Sequence, residues 1–254
     1  MTERALSLVA LPGIPEVVVG ASLCDLLATA IARAHRALQS GDILVIAQKI
    51  VSKAEGRLVQ LAGVQPSARA QTLAKAAHKD PRIVELMLRE SHQVLRVKPG
   101  IIIVEHKLGF VMANAGIDQS NVPGAEDAVL LLPVDPDGSA HKLRDALRGH
   151  SGVDVGVLII DSFGRAWRNG VTGTAIGVAG IPALIDLRGN KDREGRTLKV
   201  TQVAAADELA AAASLVMGQA DEGTPAVLVR GFPYAPRESS VKELLRPEAE
   251  DLFR

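Results

Sequence analysis

Asp161 closes the apolar run VGVLII and opens the string DSFGRAWRNG, in a chain with one Trp, one Tyr and four Phe. Asp118 stands in a comparable place, just after the turn Asn114-Ala115-Gly116. A carboxylate at a strand end has its backbone held by the sheet and its oxygens free. Hard divalent cations take such oxygen ligands, and Mg²⁺ commonly combines one or two carboxylates with substrate phosphates. If the two aspartates approach each other, a cation must lie between them or one must bind a proton. From spacing alone, the plainer reading is favoured, in which each accepts backbone hydrogen bonds in a turn.

Arg165 and Arg168 are spaced to share one side of a helical turn, and guanidinium forks suit phosphate or carboxylate. Trp167 beside them is either a stacking face for a planar heterocycle or a partly buried core ring. Lys49 and Lys53, in QKIVSKAEGR, are candidates to hold phosphates, or solvated charges paired with Glu55. MGQADEGT, residues 217–224, is a polar, glycine-bearing loop able to bend around a ligand or simply to connect. The usual nucleotide loops, GxxxxGK[ST] and a GxGxxG after a strand, do not occur, nor does HExxH, and the six histidines are scattered. The residues alone point to an anion-and-metal pocket without naming a reaction.

The elements that must position these residues can be read only coarsely. The 254 residues are 47% apolar, with 29 Lys plus Arg against 29 Asp plus Glu, so overall charge points neither to nucleic acid nor to an anionic membrane. Cys24 is the one cysteine, so no disulfide framework and no cysteine-built metal site is expected, in keeping with a cytoplasmic location. The N-terminus makes a poor signal peptide, and no apolar run approaches the roughly 20 residues that span a bilayer. Strands are expected over residues 6–10, 43–52, 101–105, 110–113, 155–160 and 225–230. Helices are expected over 22–38 with Ser22 as N-cap, over 67–77, from Asp80-Pro81 onward, over 139–147, and over 204–217 with Gly218 as the stop. Without regular βα alternation this reads as α+β rather than a doubly wound parallel sheet.

Longer strings carry more information. VIAQKIVSKAEGRLV, NAGIDQSNV, LLPVDPDGSAHKLR, DSFGRAWRNG, AIGVAG and ADELAAAASLVMG occur in that order, from Ile14-Pro15-Glu16 near the start to LLRPEAEDLFR at the end. Together they resemble the coenzyme F420-0:γ-glutamyl ligase family over essentially the whole chain. The resemblance implies an α+β fold with mixed and antiparallel sheets, one ligase domain over 1–254 with room for two subdomains, and an intertwined homodimer. Some bacterial relatives add a C-terminal flavin-binding domain, and this chain is expected to be the stand-alone ligase. It further implies GTP-dependent amide formation: the terminal carboxylate of coenzyme F420-0 becomes an acyl phosphate, the amine of L-glutamate attacks it, and GDP and phosphate leave. Later rounds extend a γ-linked tail. Mg²⁺ or Mn²⁺, two per site, and K⁺ are the implied ions. The resemblance places metal on Asp118, Asp161, Ser162 and Gln219. The nucleotide falls on Ile14, Pro15, Glu16, Val17, Gln48, Lys53 and Asn121, and on the loop Met217, Gly218, Gln219, Ala220, Asp221, Glu222, Gly223 and Thr224. Asp118, Asp161 and Lys53 are the expected catalytic residues. Arg165, Trp167 and Arg168 are our own expectation for the acceptor.

The chain departs from the family pattern in places. Ser162 replaces a threonine and keeps the hydroxyl. Val171 and Gly173 stand where an amide and a carboxylate are usual, and Gln202 stands where glutamate is frequent. These losses leave two alternatives open beside the ligase: a non-catalytic deazaflavin- or nucleotide-binding homologue, and a ligase for a different carboxylate acceptor.

Overall fold

The structure, a computed structural model, describes residues 5–121 and 127–251. In chain order the first elements are β1 (Ser7–Ala10), α1 (Leu23–Arg33), β2 (Ile43–Ala47), α2 (Gln48–Ala54) and β3 (Leu58–Gln60). Next come α3 (Ala68–Ala77), α4 (Pro81–Arg89), β4 (Ser91–Lys98), β5 (Ile101–His106), β6 (Val111–Ala113) and β7 (Ala128–Leu130). The last are α5 (Pro136–Ser151), β8 (Gly156–Arg165), β9 (Arg168–Ala179), β10 (Ile185–Asp186), β11 (Gln202–Val203), α6 (Ala205–Met217) and β12 (Ala226–Arg230). Val122 and residues 252–254 of the quoted strings lie outside the described residues.

The main sheet has the order β1-β12-β2-β8-β9, with β2 and β8 parallel and the other neighbours antiparallel. The fold is therefore α+β, with one mixed sheet and smaller antiparallel ones. Ile43, Leu44, Val45 and Ile46 of β2 are fully buried, as a central strand covered on both faces requires. Helices reach β9 so closely that two of its glycines have no room for a side chain. A Cβ on Gly173 would lie 2.3 Å from the Ala210 carbonyl of α6, and one on Gly177 would lie 2.5 Å from the Pro136 backbone of α5. A register shift between Ile159 and Ile160 inserts an extra β9 residue between these glycines, which re-aims the strand between the two helices.

Residues 57–132 leave this sheet and build their own layers. There β4-β5-β6 form one sheet and β3-β7 another. Ala70, Ala74, Ala77, Val84, Met87, Ile102, Val104 and Ala115 form a separate buried cluster between helices and strands. Arg57 joins the two chain ends of this unit, donating to Leu132 O at 2.8 Å, and pairs with Glu90 at 2.6 Å.

Several expectations hold. Ser22 caps α1 through the Asp25 amide, Asp80 caps α4 ahead of Pro81, and Gly218 ends α6 with φ 78°. Others change. The strand expected over 43–52 stops at Ala47, and QKIVSKA is helix α2. Ile50 and Val51 favour a strand by their branching, but both are buried helical residues here. The Ser52 hydroxyl donates to Gln48 Oε1 at 2.8 Å, one helical turn back. Helix α1 ends at Arg33 because the chain turns left-handed at His35, φ 52°. Helix α5 starts earlier than expected, with Asp135 accepting from the Gly138 amide and Pro136 in its first turn.

Gly177→Ala is expected to destabilise the protein by about 1–3 kcal/mol, since α5 would have to move off the sheet. Urea denaturation checks this, with the midpoint falling while the m-value holds.

Candidate active site

The parallel pair β2 and β8 runs in register, Ala47 opposite Ile160, so Gln48 and Asp161 leave the same end of the sheet side by side. The carboxyl ends of parallel strands are where ligands bind in open sheets, because the connections splay apart there. Here β2 feeds α2, whose Gln48, Lys49, Ser52 and Lys53 are placed along successive turns. Asp161 is not at a strand end as expected, for β8 continues to Arg165.

Lys49 reaches across to the 118–121 segment. Its ammonium lies 2.7 Å from Asp118 Oδ2 and 2.7 Å from Ser120 Oγ, and it donates to Ser120 O at 3.2 Å. Asp118 is fixed by two backbone bonds with Leu130 and accepts the Ser120 amide and hydroxyl at 2.7 and 2.8 Å. Burial pushes the Asp118 carboxyl up, but bonds from Lys49 and Ser120 outweigh it and hold the group below its ordinary value. One helical turn on, Lys53 pairs with Glu16 Oε1 at 2.6 Å and donates to Asn121 O at 2.8 Å. The expected pairing of these lysines with Glu55 does not form; Glu55 instead accepts from the Ser139 hydroxyl of α5.

Two more contacts close the ring. Asn121 Nδ2 donates to Ala220 O at 3.2 Å, and the Ser162 hydroxyl donates to Gln219 Oε1 at 2.8 Å. The 217–224 loop is shaped from within. Glu222 accepts the Ala220 amide at 2.8 Å and packs where any Cβ on Gly218 would stand, while Thr224 donates to Met217 O at 2.8 Å. Next to Lys53, Ile14, Pro15, Glu16 and Val17 form a loop held by Arg33 on the Gly13 carbonyl (2.7 Å) and by the Gly20 amide on Ala54 O (2.8 Å). Thus the four stretches expected to bind nucleotide, around residues 14–17, 48–53, 118–121 and 217–224, are linked side by side by these contacts. A separate cavity of about 370 Å³ lies by the same segment, lined by Ile117, Asn114, Ile83 and Met87.

Asp161 carries the electrostatic signature of the site. Burial, and then the nearby negative charge of Asp118, push its carboxyl up to about 6, against bonds from the Ser162 amide and the charge of Lys49. Asp118 and Asp161, within electrostatic reach of each other, and the bonded pair Ser162 and Gln219 all offer oxygen, the donor type that suits Mg²⁺ or Mn²⁺. Gln48 is 1% exposed and its Nε2 is a buried donor without an acceptor among the described residues.

The substrate trio does not join this cluster. Arg165 and Arg168 face each other across a two-residue hairpin turn of Ala166 and Trp167, not along a helix. Trp167 adopts φ 64° and is 89% exposed, so it is neither core ring nor pocket wall in the isolated chain. Arg165 lies four positions along β8 from Asp161, about 13 Å. Phe163 instead points inward, edge-on to Phe110 at 5.9 Å. Sequence reasoning missed Ser120 as a support for Asp118, and it left Lys49 as one of two options. The signal for Lys49 was its four-residue spacing from Lys53, visible only once the segment is read as helix. As for the departures, the place of a side chain at Gly173 is filled by α6, and Val171 lies exposed on the hairpin.

Because the fold raises the Asp161 pKa from about 3.9 to about 6, its charge costs stability as pH rises between those values, and the full cost holds above them. Asp161→Asn is therefore expected to stabilise the metal-free protein by about 1–3 kcal/mol at pH 7.5 and not at pH 3.5. Chemical denaturation in chelator checks it, and added Mn²⁺ should stabilise only the unsubstituted protein.

Comparison with known proteins reports the same pattern along the chain. A family profile described as F420-0:Gamma-glutamyl ligase matches residues 13–231. The coenzyme F420:L-glutamate ligase of Methanothermobacter thermautotrophicus is 47% identical over 251 residues, 98% of this chain and 99% of that protein. Its namesake in Methanopyrus kandleri is 51% identical over 223 residues, 85% of this chain and 87% of its own length. The one from Archaeoglobus fulgidus is 43% identical over 242 residues, 95% and 94% of the two chains. The matched span holds both strands of the parallel pair, the 57–132 unit and every stretch that converges on the pocket, and the chain belongs to the F420-0:gamma-glutamyl ligase family.

Proposed function

We propose that this protein joins L-glutamate to coenzyme F420-0 in an amide bond, with GTP as phosphoryl donor and an acyl phosphate as intermediate. The observation that carries the reading is the meeting of Asp118 and Asp161 beside the lysines of α2, in a chain whose relatives are named coenzyme F420:L-glutamate ligase. Such a reaction must neutralise charge on a triphosphate while a carboxylate oxygen attacks its terminal phosphorus. It must then admit an amine to the acyl carbon and keep water away.

The residues divide that work by chemistry. Asp118, Asp161, Ser162 and Gln219 are proposed to hold Mg²⁺ or Mn²⁺, which when bound neutralises charge between the carboxylates and the nucleotide oxygens. Lys53 supplies a point charge for phosphate, its ammonium already held by Glu16 and the Asn121 carbonyl. Gln48 is proposed to contribute its buried amide, which has no acceptor among the described residues. The 14–17 and 217–224 loops are proposed to enclose the nucleotide. Arg165 and Arg168 hold the phosphate of the acceptor, and Trp167 offers its face to the deazaflavin ring. Their place about 13 Å along β8 from Asp161 suits an elongated acceptor whose carboxylate reaches the metal first. K⁺ completes the proposed ions, and the working unit is proposed to be a homodimer in the cytoplasm. Among the described residues no helix is long and apolar enough to cross a membrane.

Incubation with coenzyme F420-0, GTP, L-glutamate and Mn²⁺ is expected to give a product heavier by one glutamyl unit, with GDP and phosphate in step. No product, beside a competent relative assayed in parallel, overturns the proposal. GTP binding without turnover selects the binding-only homologue, and turnover restricted to another carboxylate redirects the acceptor. Asp161→Ala should abolish ligation. Lys53→Ala should raise the KM for GTP by roughly tenfold or more, the loss typical of a hydrogen bond to a charged group.

A further inference from the structure

Two helix ends meet at a second set of metal-ligating side chains. Cys24 and Asp25 lie in the first turn of α1, and His150 lies in the last turn of α5. A Cys24 sulfur, an Asp25 carboxylate oxygen and a His150 ring nitrogen all lie within 4.8 Å of one another. The lone cysteine rules out a thiolate cluster, but not a mixed site assembled by the fold. Asp25 spends its backbone, not its carboxylate, on the α1 cap: its amide donates to Ser22 Oγ and its carbonyl accepts from Thr29 Oγ1. The Asp25 and His150 side chains are exposed and Cys24 is half-buried against the core, so an ion has access from solvent.

The donor set decides which ion. Sulfur, nitrogen and oxygen from three side chains suit a borderline-soft cation with tetrahedral geometry, and Zn²⁺ above all. Bonds of about 2.0–2.3 Å to such an ion leave ligand atoms roughly 3.3–3.8 Å apart. Closing from the present separations takes a movement of about 1 Å, within reach of side-chain torsions. We propose that Cys24, Asp25 and His150 form a Zn²⁺ site, with water as fourth ligand, that clasps the start of α1 to the end of α5. On loading, the Cys24 thiol gives its proton to solvent and the thiolate binds the ion. The site shares no residue with the Asp118–Asp161 pocket, whose donors are all oxygen. The two would thus sort ions by hardness, Zn²⁺ to the helix clasp and Mg²⁺ or Mn²⁺ to the sheet.

Co²⁺ is the probe. Because Cys24 is the one cysteine in the chain, thiolate-to-cobalt charge-transfer absorption can come from no other place. Titration of the full chain should develop this absorption at one equivalent and lose it on adding Zn²⁺. It should be absent in Cys24→Ser, lost or strongly reduced in His150→Ala, and intact in Asp161→Asn, which disables the other pocket. In the Asp161→Asn background, Zn²⁺ should raise the Tm, and the rise should disappear when His150→Ala is added. No absorption at saturating Co²⁺, or absorption that His150→Ala leaves unchanged, overturns the proposal, whatever the ligase assay shows.

Discussion

Two carboxylates of like charge, Asp118 and Asp161, are brought within electrostatic reach of each other at the end of a buried sheet. That conflict is what the surrounding structure is arranged to manage. Burial and Asp118 both oppose ionisation of Asp161, while Lys49 and Ser120 favour ionisation of Asp118. The two groups are chemically alike but held in opposite states of comfort. A protein gains nothing in stability from leaving Asp161 so placed, and strained electrostatics of this kind cluster where chemistry is done. A positive charge between the two resolves the conflict, and the next strand residue, Ser162, bonds the Gln219 side-chain oxygen.

The scaffold answers to this constraint at several levels. The parallel pairing of β2 with β8 sets Gln48 and Asp161 side by side, and the turn into α2 then carries Lys49 and Lys53 over the sheet end. The 57–132 unit, with its own core, delivers Asp118 from outside, and Arg57 closes its two chain ends on each other. Glycines on β9 let α5 and α6 approach until backbone meets backbone, which fixes the sheet against which these distances are set. Beyond this rigid part, β8 and β9 run on as a hairpin with exposed sides. The family's usual amide and carboxylate positions, here Val171 and Gly173, fall on that extension and under α6 respectively.

Much of the site was legible before the fold. Asp118, Asp161 and the polar loop after α6 stand at punctuation points between apolar runs, and the long idiosyncratic strings carried the family resemblance. What failed did so for identifiable reasons. QKIVSKA reads as strand from Ile50 and Val51, yet those residues bury one face of a helix, so tertiary packing overrode local preference. The hairpin after Asp161 lacks an Asn-Gly or Asp-Gly signal, and its turn is made by Ala166 and by Trp167 in a left-handed conformation, a residue that gives no warning of it. The three-residue spacing of Arg165 and Arg168 therefore suggests a helical turn, yet it spans two paired strands. The meeting of Cys24 with His150 is a tertiary fact, and no pattern along one chain shows it.

The ring of contacts around the pocket also bears on how the protein assembles. Asn121 meets Ala220 across 99 positions of chain, Lys49 meets Ser120 across 71, and Ser162 meets Gln219 across 57. Each closure brings together distant segments and carries a loop entropy that local structure cannot offset. The site thus depends on contacts that span most of the polypeptide, from Lys49 to Ala220. Any ligand held by all four stretches is released when any one of them opens, and so guards the molecule against local opening of each as well as against global unfolding.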